Sequence, residues 1–292
     1  MNLRVDGINK FIEEFSKIAK VNLDLVQFEK IKEPLQELSK KLQDAVENVS
    51  FDFLTEEMKK YIDETKANEN LSQNEFEDKY AYEIEVCKKL GNSGWVVSEH
   101  SNPREISEWY ELLKNGNEQE IMTYFEGDNG CILWNIFREM EKRYEFSDRV
   151  YCVKAKDYFD KEDYMTSAMY LVALIEVRTN KLMKYPKGIK YKQKYSSEGF
   201  EEHLSTEFKK NNSFFKKRFL FLEMYPSIIE FLNRLFVDGE YTFEKGLEPP
   251  YINRNWLLHG RSGRTIERFE CIQLFNALSV IEFVFNIANR EM

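Results

Sequence analysis

At 292 residues and 35.0 kDa the chain has room for one large domain or two modest ones. Hydrophobic residues at 42% supply a core and exclude wholesale disorder, while 12 Gly and 6 Pro are too few for a sandwich or barrel turning every about 8–12 residues. The balance of 42 basic against 51 acidic residues leaves −9, which argues against coating nucleic acid through bulk charge, and no Gly-rich phosphate loop occurs. These features predict an all-α protein built of long helices.

The opening stretch, MNLRVDGINKFIEEF, has acidic residues where a secretory signal needs an apolar core. No window approaches about 18 uninterrupted apolar residues, so neither export nor membrane insertion is expected and the location is read as cytoplasmic. Cys87, Cys131, Cys152 and Cys271 never form a CxxC pair, and His100, His203 and His259 are the only histidines. Structural zinc, a disulfide framework and a cofactor are therefore not expected.

In chain order, residues 1–90 read as an acidic helical module, with 14 Lys/Arg against 20 Asp/Glu. Ile8, Phe11, Ile12, Phe15 and Ile18 recur at helical spacing. A second helix from about Leu23 accommodates Pro34 and continues through Leu35, Leu38, Leu42 and Val46; a third spans about 51–66. The polar run 66–75 reads as a loop. Residues 91–155 form an aromatic-rich helical linker region. It has a turn at 91–94, an extended piece at Trp95–Val97, a helix start at Asn102-Pro103 and a break at 126–130.

Residues 156–292 read as a helical bundle. A helix over 162–184 carries Met165, Met169, Val172 and Ile175 on one stripe, with Glu176 interrupting its apolar centre. A buried carboxylate needs a partner, and Arg254 and Arg178 both qualify. Residues 178–218 hold 12 Lys/Arg against 4 Asp/Glu, with Lys190, Lys192 and Lys194 at the centre. Such a run is either a solvated face or a phosphate-tracking surface. An apolar helix with Pro226, a loop over 237–250 and a last helix from about Thr265 complete the chain.

The chemistry concentrates in Asn253-Arg254-Asn255-Trp256-Leu257-Leu258-His259-Gly260. Asn255 and His259 are four apart, on one helical face, whereas Arg254 precedes His259 by five, about 140° away on an ideal helix. A long side chain or a distorted last turn is needed to bring that pair together. Gly260 supplies a helix stop, and Arg261, Arg264 and Arg268 make the surroundings cationic. An imidazole changes protonation near neutral pH and serves as acid or base, and a guanidinium grips phosphate oxygens bidentately.

This Arg-Asn-x3-His, ahead of a last apolar helix, resembles the hallmark of the HEPN superfamily, Arg-x4–6-His with a polar residue after the Arg. The resemblance covers roughly residues 155–292. It implies a helical bundle acting as a metal-independent endoribonuclease, or as an RNA-binding relative, in toxin–antitoxin, phage-defence or CRISPR settings. It further implies catalytic roles for Arg254, Asn255 and His259 and a homodimer that shares one cleft. Arg261, Arg264, Lys190, Lys192 and Lys194 are then the RNA-binding set, RNA the substrate, and an antitoxin or defence protein a further partner. Some members carry Glu-x3-Lys-Arg in an earlier helix; here Glu176 is followed by Asn180-Lys181, an imperfect match that makes Glu176 at most an orienting residue.

Other readings stay open. His259 before Gly also suits a helix end whose carbonyls attract it, and Arg254 also suits an ordinary salt bridge. A non-catalytic helical RNA-binding or interaction protein keeps the same scaffold. A nucleotide-transfer enzyme is weakened by the missing Gly-rich loop.

Overall fold

The computed structural model describes residues 71–98, 101–182, 222–237 and 245–289. The helices expected at 8–18, 23–46 and 51–66, His100, His203, and Lys190, Lys192 and Lys194 lie outside the described residues. The described part is helical with no strand among the described residues, and all of it belongs to one packing unit, Glu64–Met292. Packing thus divides the chain at 63/64, ahead of the boundary near 90 drawn from charge.

Helix α1 (Gln73–Lys79) begins inside the stretch expected to be loop. Ser72 and Glu75 form a reciprocal capping box: the Glu75 carboxylate accepts from the Ser72 backbone N–H at 2.9 Å. Helix α2 spans Ala81–Ser93 and α3 Pro103–Lys114. The latter starts where Asn102-Pro103 predicts, with Asn102 Oδ1 accepting from the backbone N–H groups of Arg104 and Glu105, both at 3.0 Å. A 3₁₀ turn, Glu118–Ile121, leads into α4 (Met122–Arg143). Then follow α5 (Phe146–Asp160), α6 (Tyr164–Leu182), α7 (Tyr225–Phe236), α8 (Arg254–Leu258) and α9 (Arg268–Asn289).

Three local expectations change. The break at 126–130 shrinks to one left-handed residue, Gly130 (φ 72°), inside α4. Glycine costs a helix about 1 kcal/mol, and the burial of Phe125 and Leu133 on either side outweighs it. The stripe proposed for α6 is rotated: Met169 is exposed, and Ala168, Leu171, Val172 and Ile175 form the buried face. The last helix starts at Arg268 instead of near Thr265, because the Glu270 carboxylate accepts from the Glu267 backbone N–H at 3.0 Å and closes its first turn.

Helix α9 lies at the centre, packed against α4, α6 and α7, with Cys271, Ile272, Phe275, Leu278 and Ile281 all fully buried. Far from being a linker, 91–155 supplies much of this core. Trp95 stacks on Phe125 at 5.6 Å, and Trp109 lies 5.8 Å from Phe125. The extended piece after α2 has no sheet to join, so side chains satisfy its backbone. Val97 N–H donates to Ser227 Oγ at 3.0 Å, Asn276 Nδ2 donates to the Val96 carbonyl at 2.7 Å, and Gln273 Nε2 donates to the Ser93 carbonyl at 3.2 Å.

Helices α2 and α7 pack backbone to backbone at Gly91. A Cβ there would lie 2.1 Å from the Ser227 carbonyl oxygen, far inside contact distance. Gly91→Ala is therefore expected to destabilise the fold by about 1–3 kcal/mol, the range for overpacking a tight core, read as a lowered urea midpoint at unchanged slope. Helix α7 matters to the site because the carbonyl of Val237, just past its end, receives α8.

Candidate active site around helix α8

Five residues rarely hold a helix alone, and α8 is built from its ends. At the start, buried Asn253 is the N-cap: its Oδ1 accepts from the backbone N–H groups of Asn255 (3.0 Å) and Trp256 (3.2 Å). Its Nδ2 donates to the Val237 carbonyl at 3.1 Å, tying the cap to the end of α7. Trp256 and Leu257 bury the inner face. At the other end Gly260 turns left-handed (φ 66°), and the N–H groups of Gly260 and Arg261 donate back to the Leu257 (3.2 Å) and Trp256 (3.0 Å) carbonyls. This double closure is a Schellman stop, the role foreseen for Gly260.

Arg254 projects onto α6. Its Nε donates to Glu176 Oε2 and its Nη2 to Glu176 Oε1, both at 3.0 Å, a bidentate fork. Its Nη1 donates to Asn255 Oδ1 at 2.8 Å, and Asn255 Nδ2 donates to the Val237 carbonyl at 3.3 Å. Asn255 thus bridges the end of α7 and the guanidinium. Of the two partners open for Glu176, the fold selects Arg254. Arg178, two residues on, points about 200° away around α6 and meets Asp148 (3.0 Å) and Glu282 (2.8 Å).

His259 sits at the C-cap of α8 and is exposed. Its ring has no hydrogen bond with any described residue. So the motif separates into two parts: a guanidinium held on three sides at the inner edge of α8, and an imidazole open to solvent at its tip.

The cationic surroundings expected from sequence are largely neutralised. Arg264 is bidentate to Glu270, with Nη1 to Oε2 at 3.0 Å, and Arg268 donates to Glu126 at 2.7 Å. Arg264, expected to bind RNA, pairs with the carboxylate in the first turn of α9 and clamps that turn. Arg261 is exposed beside His259.

The capping role of Asn253, and Glu248 altogether, are absent from the sequence reading. Asn before the short Arg-Asn-Trp-Leu-Leu helix was an available signal for the first. Among the described residues no group of three or more His, Cys, Asp or Glu converges as metal ligands. Burial pushes the thiols of Cys152 and Cys271 up to about 12 and that of Cys87 further, which keeps all three protonated in the core; Cys131 is exposed. A crevice between α2, α7 and α9, lined by Gly94, Phe231, Arg234 and Glu270, has room for about one water and contains none of Arg254, Asn255 or His259.

Compared with family models, curated proteins and solved structures, the chain matches none. The described residues are helical, without a strand among them, and no helix among them is long and apolar enough to cross a membrane.

Proposed function

We propose that the chain is a metal-independent endoribonuclease of HEPN type, acting in phage defence or as a toxin from the cytoplasm. The observation that carries this reading is the division of labour at α8: an oriented, charge-paired guanidinium at one end and an unencumbered imidazole at the other. In the reaction, the 2′-oxygen attacks phosphorus while an imidazole removes its proton; the P–O5′ bond breaks and the departing oxygen takes a proton from a second imidazole. Arg254 stabilises the extra negative charge on the phosphorane oxygens. One His259 cannot hold both positions, so two copies of the chain face each other, each contributing Arg254, Asn255 and His259. Glu176 and Asn255 act on Arg254, orienting its fork. Lys190, Lys192, Lys194 and Arg261 track the backbone, and an antitoxin or defence protein restrains the activity.

The inert alternative, a helical RNA-binding or interaction protein, draws support from the same pair: a bidentate Arg254–Glu176 bridge is also a complete structural clamp between α6 and α8. Purified protein incubated with RNA in EDTA separates the two. The nuclease yields 2′,3′-cyclic phosphate and 5′-hydroxyl ends, and an Arg254→Ala/His259→Ala chain does not. Intact RNA with the parent chain, or equal cleavage by the double variant, refutes the proposal.

A further inference from the structure

Beyond the Schellman stop, the chain from His259 to Gly263 reads His-Gly-Arg-Ser-Gly. The N–H groups of Gly260, Arg261 and Ser262 tie this segment back to the Leu257 and Trp256 carbonyls, Ser262 to Trp256 at 3.2 Å, and it carries the exposed imidazole at its first position. A second restraint on its far end comes from the loop that precedes α8. The Glu248 carboxylate accepts from the Gly263 backbone N–H at 2.8 Å and from the Ser262 hydroxyl. The arm that delivers Glu248 is itself stiff. Pro249 and Pro250 follow it and fix their own φ angles, and the residue before a proline is confined to extended backbone. Tyr251 then lies under the Arg234 guanidinium at 4.3 Å, and Arg234 donates to the Asn92 carbonyl at the end of α2. Residues 248–263 therefore form a loop closed at its base, with α8 inside and His259 near its exit.

We propose that Glu248 is a positioning residue for His259: by stapling Ser262-Gly263 to a proline-stiffened arm, it helps to fix the turn from which the imidazole projects, and with it the place the ring takes in catalysis. This rests on the endoribonuclease reading above. Misplacing a catalytic group by about 1 Å costs about 100-fold in rate, so freeing this segment acts on turnover and leaves binding by Arg254 in place.

The experiment compares Glu248→Ala and Glu248→Gln with the parent chain through kcat and KM on RNA in EDTA, the His259 ring resonances, and amide exchange over residues 260–263. Three histidines make the ring signal assignable by difference against His259→Ala. Glu248→Ala should lower kcat by about 10- to 100-fold with KM within about 3-fold, shift the His259 signal toward its unfolded position and speed exchange at 260–263. Glu248→Gln keeps an acceptor for the Gly263 N–H and should restore most of each. A His259 signal and exchange pattern unchanged in Glu248→Ala overturn the staple. A loosened segment with unchanged kcat overturns the positioning role. A parent chain that leaves RNA intact overturns the nuclease reading and the catalytic half of this proposal with it, and the ring signal still decides the staple by itself.

Discussion

His259→Ala should slow RNA cleavage by about 100-fold or more, the lower end for loss of a general acid–base, while shifting unfolding by no more than about 0.5 kcal/mol, as for other exposed positions. The structural grounds for the second half are specific. The stop of α8 is made by Gly260 and by backbone bonds from residues 260 and 261 to 257 and 256, none of which uses the imidazole. The Asn253 cap and the Trp256 and Leu257 contacts are likewise untouched. A purely structural histidine at a helix end predicts the reverse pattern, a stability loss of about 0.3–1 kcal/mol and no change in cleavage. Initial rates in EDTA beside urea midpoints therefore decide between the two. If two copies supply base and acid, the pH–rate profile is bell-shaped, and mixing parent with His259→Ala chains leaves mixed dimers impaired.

Arg254 is a less selective probe. Its removal takes the bidentate partner from the Glu176 carboxylate, only 13% exposed, so Arg254→Ala loses stability and activity together. Arg254→Lys keeps the charge but not the fork, and separates phosphate attraction from bidentate orientation.

A second large effect belongs to Arg178. Its guanidinium spans Asp148 on α5 and Glu282 on α9, and Tyr144 donates to Glu282 at 3.2 Å. The Glu282 side chain is 2% exposed and that of Asp148 9%. Burial opposes the charge on Arg178, but Glu282 foremost, with Tyr144 and Asp148, outweighs it and holds the guanidinium above its ordinary pKa. Arg178→Met removes the counter-charge that the guanidinium gives two buried carboxylates, and the expected loss is about 3–5 kcal/mol. Adding Asp148→Asn and Glu282→Gln neutralises both carboxylates and should recover a large part of it. Denaturant midpoints at constant slope provide the measurement. A single variant within about 1 kcal/mol of the parent would mean that the cluster is solvated in solution.

The contrast between Arg178 and Arg254 marks how far a linear reading reaches. The all-helical character follows from sparse Gly and Pro and from apolar spacing, and α3 starts where Asn102-Pro103 places it, because capping acts over three or four residues. Capping chemistry also explains what went unread: Ser72 and Glu75 announce α1 within a run that polarity alone assigns to loop. The break at 126–130 failed for the opposite reason, since glycine's local cost is small beside the burial of the turns around it. Met169 failed similarly, because apolar character does not say which apolar side chains face the core.

What the sequence determined by itself is the helical class, the ends of several helices and the Arg-Asn-x3-His grouping with its glycine stop, all set by interactions within a turn or two of chain. Only the tertiary structure decided that Glu176 takes Arg254 and leaves Arg178 to Asp148 and Glu282, that Arg268 spends its charge on Glu126, and that Glu248 closes the loop behind His259. The reason is physical. A charged side chain entering a low-dielectric interior takes whichever opposite charge the packing of helices presents to it, and that choice depends on faces and crossings among segments up to 142 residues apart.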